Sequence, residues 1–134
     1  MHYNDFQNLK LSALGMGCMR LPHKEQYADV DQVAVQQMVA FAMAQGVNYY
    51  DTAWGYHDGN SETAIGEALA AYPRENFYLA TKFPGYDLSN MSHVKEIFEE
   101  QLRRCRVESF DFYLFHNVCE MNIDAYLNPA YGIF

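Results

Sequence analysis

Three ionisable side chains stand directly after short apolar runs. Asp51 follows Val47-Asn48-Tyr49-Tyr50, Lys82 follows Phe77-Tyr78-Leu79-Ala80-Thr81, and His116 follows Phe110-Asp111-Phe112-Tyr113-Leu114-Phe115. A carboxylate, an ammonium and an imidazole are groups that hold, move or stabilise protons. Each has an ordinary explanation when taken alone. Asp51 could cap a helix or turn. Lys82 could run its stem across the surface to solvent. His116 could be a hydrogen-bonded structural histidine. Tyr56, in the loop after Asp51, is one of 11 tyrosines and alone reads as packing. All the ordinary explanations must hold together to dismiss the set, and that weakens them.

The surrounding pattern says what positions these groups. Residues 2–6 and 9–13 alternate around Gln7-Asn8, which predicts a short hairpin. Residues 13–18 read as a buried strand and 22–30 as a polar loop. From Asp31, a plausible N-cap, Val35, Met38, Val39 and Ala42 share a helical face, and Gly46 ends it. A strand at 47–51 and a Gly/Asp/Asn-rich loop at 54–60 come next. A helix follows from about Ser61 to Tyr72 and is stopped by Pro73. Strand 77–82, helix 90–105 and strand 110–116 complete the pattern. The tail, 121–134, looks like the start of another helix that stops without a cap.

Strand ends near 18, 51, 82 and 116 repeat at roughly the length of one strand–helix–strand unit. Such alternation implies a parallel sheet with right-handed crossovers. A doubly wound sheet and a (β/α)8 barrel both fit. In either fold, ligands bind at the carboxyl ends of the strands. Asp51, Lys82 and His116 would then sit side by side and in register, since neighbouring strands lie about 4.8 Å apart.

Composition limits the classes. The 134 residues are half apolar, with moderate charge, and suffice for one folded domain. A net charge of −8 with scattered acids argues against a nucleic-acid partner. The polar opening, Met1 to Asp5, has no apolar leader core, and no run approaches the roughly 18 apolar residues of a membrane span. Cys18, Cys105 and Cys119 form no CxxC pair, so a reducing, cytoplasmic setting without disulfides is the expectation. Cys18 and Cys105 read as buried apolar residues, and Cys119 as pocket-lining or a bystander. No metal-ligand cluster or nucleophile motif is visible in the sequence, which disfavours a hydrolase.

The block Gly46-Val47-Asn48-Tyr49-Tyr50-Asp51-Thr52-Ala53-Trp54-Gly55-Tyr56, followed by Ser61-Glu62 and Ile65-Gly66, resembles the signature of the aldo-keto reductases. Ala80-Thr81-Lys82 and Leu114-Phe115-His116-Asn117 continue the likeness in order and spacing, and Leu11 to Pro22 resembles the family's hairpin and first strand. Gly15 and Gly17 lack the third glycine of a Rossmann fingerprint. The likeness is strongest to a bacterial branch whose longer members add a C-terminal 4Fe-4S ferredoxin-like segment.

The resemblance implies a (β/α)8 TIM barrel, of which this chain is the N-terminal portion in a single domain. It implies NADPH as cofactor, a small carbonyl substrate, and a catalytic tetrad of Asp51, Tyr56, Lys82 and His116. Tyr56 would donate the proton. A free tyrosine, with a pKa of about 10, gives up its proton poorly near neutrality. Lys82 would stabilise the phenolate, Asp51 would hold Lys82 charged and in place, and His116 would orient the carbonyl oxygen. Cys18, Met19, Arg20 and Asp51 would border the cofactor. Four units make about half of a roughly 250-residue barrel. The isolated chain is therefore expected to be a poor or inactive reductase that self-associates through open sheet edges. The alternative is a non-catalytic NADP(H)-binding or regulatory module of the same fold.

Overall fold

The Gln7-Asn8 turn joins strand β1 (Tyr3–Phe6) to β2 (Leu9–Ser12) in an antiparallel hairpin, as the alternation predicts. The computed structural model describes residues 1–133, so the last residue of the expected tail helix lies outside the described residues. After the hairpin the strand–helix alternation runs through β3 (Met16–Gly17), α1 (Gln32–Ala44), β4 (Tyr49–Asp51), α2 (Ser61–Leu69), β5 (Tyr78–Phe83), α3 (Val94–Cys105), β6 (Phe112–Phe115) and α4 (Ile123–Leu127). Strands β3, β4, β5 and β6 lie side by side in chain order, all parallel.

Local chemistry accounts for the boundaries. Asp31 caps α1 by accepting the Ala34 N–H at 3.1 Å. Gly46, at φ +83, closes the same helix. Its N–H donates to Met43 O and the Val47 N–H donates to Ala42 O, both at 2.9 Å. This left-handed ending favours glycine. The strand expected at 13–18 shrinks to Met16–Gly17, because Ala13, Leu14 and Gly15 bend through solvent before reaching β4. The helix expected to reach Tyr72 ends at Leu69 in a turn before Pro73. The tail forms only five residues of helix. It then makes a 3-10 turn at Pro129–Tyr131, capped by Asn128 and ended by Gly132 at φ +61, rather than stopping uncapped.

Helices α1, α2 and α3 cover one face of the sheet. Val35, Val39, Ile65, Leu69, Tyr50, Leu79 and Phe77 form the core between them. A second cluster of Phe83, Met91, Ile97 and Tyr126 packs near the carboxyl ends of β5 and β6. Helices α2 and α3 touch at Gly66, where a Cβ would lie 2.6 Å from the Cys105 backbone. The glycine of the Ser-Glu-xx-Ile-Gly block is thus a packing requirement. Among the described residues, no helix is long and apolar enough to cross a membrane.

Candidate active site

The carboxyl ends of β4, β5 and β6 bring Asp51, Lys82 and His116 together, but not in register. Asp51 pairs with Ala80, so Lys82 sits two residues further along the sheet. Lys82 in turn pairs with Leu114, two residues before His116. This repeated step is the stagger that a barrel imposes on tilted strands. Because each step is an even number of residues, all three side chains keep the same face of the sheet. Lysine's long stem then folds back across the step.

The Lys82 ammonium makes two hydrogen bonds there, to Asp51 Oδ1 at 2.5 Å and to the Thr52 carbonyl at 2.7 Å. Its side chain is 12% exposed and that of Asp51 30%. The same nitrogen lies 5.0 Å from the centroid of the Tyr56 ring, within cation–π range. Tyr56 begins a short 3-10 turn, Tyr56–Gly59, between β4 and α2. Its ring meets the imidazole of His116 edge-on at 5.7 Å. All four side chains singled out in the sequence therefore converge.

His116 follows the last residue of β6, and its N–H donates to Phe83 O at 3.0 Å. Tyr126 donates from α4 to the carbonyls of Phe83 and His116, at 3.3 and 3.2 Å, and so pins the strand ends. His116 Nδ1 is buried and has no hydrogen-bond partner among the described residues. Burial first, and then the Lys82 ammonium, push His116 below the ordinary histidine value of 6.5, against a smaller opposing pull from Asp51. The folded chain thus binds fewer protons at this position than the unfolded chain. The neutral imidazole contributes stability that is present above pH 6.5 and is lost as the pH falls below it. His116→Asn lacks this titration. The melting temperature of the parent should therefore drop relative to that variant as the pH is lowered from about 7 to 5. A difference that stays constant with pH would contradict the assignment.

The residues expected to border a cofactor separate into two groups. Met19 is 52% exposed and Arg20 is exposed on the loop after β3, open to a ligand. The Cys18 side chain is fully buried in the core, and its thiol is pushed up to about 12 by burial and then by Asp51. Its N–H donates to Asp51 O, and its carbonyl accepts the Ser61 hydroxyl. Cys18 thus supports Asp51 and the start of α2 and presents no side chain to a ligand. It follows β3 directly and joins the core cluster beneath the helices, whereas Met19 and Arg20 are exposed.

Other residues at the site escaped the sequence reading. The Tyr86 ring stands edge-on to His116 at 5.1 Å, and its hydroxyl lies 2.6 Å from where a Cβ on Gly55 would be. Nothing in its sequence context separates it from the other tyrosines. Glu62 did carry a signal, since it falls on the same helical stripe as Ile65 and Leu69. A carboxylate on an apolar stripe needs partners. Fully buried, Glu62 accepts from Thr81 Oγ1 at 2.7 Å, Gln101 Nε2 at 2.6 Å and Arg104 Nη1 at 3.4 Å. Gln101 also donates to the Lys82 carbonyl at 3.1 Å. The Arg104 guanidinium lies 3.8 Å over the Trp54 ring, two residues before Tyr56. This network backs both Lys82 and the Tyr56 turn.

The aldo/keto reductase family profile matches residues 13–123, most of the chain. The chain belongs to the aldo/keto reductase family. Probable aldo-keto reductase 1 of Glycine max is 31% identical over 122 residues, covering 84% of this chain and 34% of that protein. Norsolorinic acid reductase B of Dothistroma septosporum is 31% identical over 102 residues, or 72% of this chain and 25% of that one. The chain spans a quarter to a third of the length of these curated relatives.

Among solved structures, the holo form of an aldo-keto reductase from Bacillus halodurans aligns with a TM-score of 0.69 at 25% identity. The alignment covers 99% of this chain and 48% of that one. An aldo/keto reductase from Klebsiella pneumoniae in complex with NADP and acetate shares the fold, with a TM-score of 0.61 at 21% identity over 90% of this chain and 42% of that one. The parallel α/β unit described above matches the N-terminal part of the aldo/keto reductase barrel. Of the two architectures left open by strand–helix alternation, the barrel is the one found.

Proposed function

We propose that this chain carries the proton-donating side of a carbonyl reductase site, in which an aldehyde or ketone becomes the alcohol with hydride from NADPH and a proton from Tyr56. One observation carries the reading. The Lys82 ammonium is fixed by Asp51 and the Thr52 carbonyl beside the Tyr56 ring, with His116 edge-on to the same ring. Aldo-keto reductase relatives support the reaction class, and neighbours solved with NADPH or NADP support the cofactor.

The residues present fit a nicotinamide cofactor and a carbonyl. Beside Lys82 and Tyr56, the buried His116 Nδ1 has no partner among the described residues, and Met19 and Arg20 stand open on the neighbouring loop. Met19, Arg20 and Asp51 would hold the cofactor, with Cys18 contributing only through the position of its backbone. When bound, NADPH supplies the hydride that adds to the carbonyl carbon. Tyr56 gives its phenolic proton to the oxygen, Lys82 stabilises the phenolate left behind, and solvent later returns the proton. Neutral His116 orients the carbonyl oxygen by hydrogen bonding. The same reading places the chain in the bacterial branch whose longer members add a C-terminal 4Fe-4S ferredoxin-like segment, as the resemblance of its motifs implies.

Among the described residues β3 pairs only with β4, and β6 only with β5. Unpaired strand edges recruit other strands. Measured by itself, the 134-residue chain is therefore expected to scatter light as more than a monomer, bind NADPH weakly and oxidise it slowly with an aldehyde. A monomer with tight NADPH binding and rapid turnover would overturn that expectation. The reductase reading itself is tested by NADPH oxidation in a complete barrel carrying this chain.

A further inference from the structure

His57 follows Tyr56 directly and is fully buried. Its backbone lies in the left-handed region, at φ 53 and ψ 43, as does Asp58 at φ 52 and ψ 35. Residues with a Cβ avoid this region, and they persist there only when the surroundings over-determine them. Here the imidazole does so, because both ring nitrogens are held by backbone. Nε2 accepts the Leu21 N–H at 2.9 Å, and Nδ1 lies 2.5 Å from the Tyr27 carbonyl. An amide N–H can only donate and a carbonyl can only accept. The ring is therefore the neutral tautomer that carries its hydrogen on Nδ1. The Tyr27 ring stacks on it at 4.2 Å, and the Tyr27 hydroxyl donates to the Met19 carbonyl at 3.0 Å. One ring thus fastens the turn bearing Tyr56 to both arms of the loop that presents Met19 and Arg20.

We infer that His57 is a positioning residue that couples the proton donor to the segment proposed to border the cofactor, so that the two move as one piece. The inference rests on the role proposed for Tyr56. The distinctive feature is chemical: a donor and an acceptor, on opposite sides of one rigid ring, each matched to a backbone group of opposite kind. Asparagine tolerates the left-handed backbone and can still donate toward Tyr27, but its amide is too short to reach Leu21 as well. Glycine removes the backbone strain together with the ring.

The test uses the 134-residue chain labelled with 15N and with 13C at the tyrosine ζ carbons, the Tyr56 signal being assigned through Tyr56→Phe. The parent should show His57 protonated on Nδ1 and unprotonated on Nε2. In His57→Asn and His57→Gly the Leu21 amide should exchange about 10- to 100-fold faster, while the Val39 and Ile65 amides keep their protection. The Tyr56 signal should move in both variants and those of Tyr50 and Tyr126 should not. Free imidazole added to His57→Gly should restore the Leu21 protection and the Tyr56 signal. A hydrogen on Nε2 in the parent overturns the inference. So does Leu21 exchange that follows the core amides in both variants, or a Tyr56 signal that stays in place. If Tyr56→Phe leaves turnover intact in the complete barrel, the reductase reading falls while the His57 coupling stands on its own measurements.

Discussion

In a complete barrel carrying this chain, Tyr56→Phe is expected to lower carbonyl reduction by roughly 100- to 10,000-fold, the range of positioned proton transfer. NADPH affinity should change little, because phenylalanine keeps the ring that faces Lys82 and His116 and loses only the hydroxyl. The reasoning is one of proton balance. Hydride adds to the carbonyl carbon, the oxygen gains charge, and a proton must arrive there as that charge develops. Tyr56 is the donor at the point where the Lys82 ammonium can stabilise the resulting phenolate. Water would have to replace it without that assistance. Stopped-flow oxidation of NADPH and a fluorescence titration, run on the same preparation, separate chemistry from binding. Turnover within about threefold of the parent would remove Tyr56 from its role, since so small a loss is below what any proton-transfer group supplies.

The second large effect is expected at Lys82. Lys82→Met keeps an unbranched side chain one atom shorter and removes its charge. The loss should reach roughly 100- to 1,000-fold in turnover, comparable with removing one preorganised donor from a developing anion. Stability should fall as well. A fully exposed ion pair contributes about 0–1 kcal/mol, and stripping one partner from a buried pair costs about 3–5 kcal/mol. With Lys82 12% and Asp51 30% exposed, the pair lies between these limits, and a destabilisation of about 1–3 kcal/mol follows. Most of that cost is the Asp51 carboxylate left beside a thioether. The double variant Lys82→Met with Asp51→Asn should therefore recover part of the stability in urea unfolding while recovering none of the turnover. Recovery of both would mean that the pair is purely structural.

The contrast between these residues and Glu62 shows what kind of information the chain carries openly. Asp51, Lys82 and His116 were legible because each breaks an apolar strand at its end, and strand ends of a parallel sheet face the ligand side. The hairpin around Gln7-Asn8, the Asp31 cap and the Gly46 stop were legible because each is a local interaction within a few residues. Glu62, Gln101 and Arg104 were not assembled in advance, although Glu62 and Gln101 both interrupt apolar helical stripes. Their partners lie on different elements, and no spacing rule joins α2 to α3 through β5. His57 was hidden more deeply still, since its meaning depends on a left-handed turn and on two backbone groups of a distant loop.

The sequence by itself determined the element order, the Asp31 cap and the Gly46 stop, the parallel alternation and the three ionisable groups at strand ends, because propensity, periodicity and turn chemistry act over a few residues. Tyr56 was singled out only through the family resemblance. Only the tertiary structure decided the two-residue stagger between neighbouring strand ends and the clamps behind Tyr56 and Lys82. Register and burial depend on how strands tilt to pack against helices and against one another, which is a property of the whole sheet and not of any segment within it.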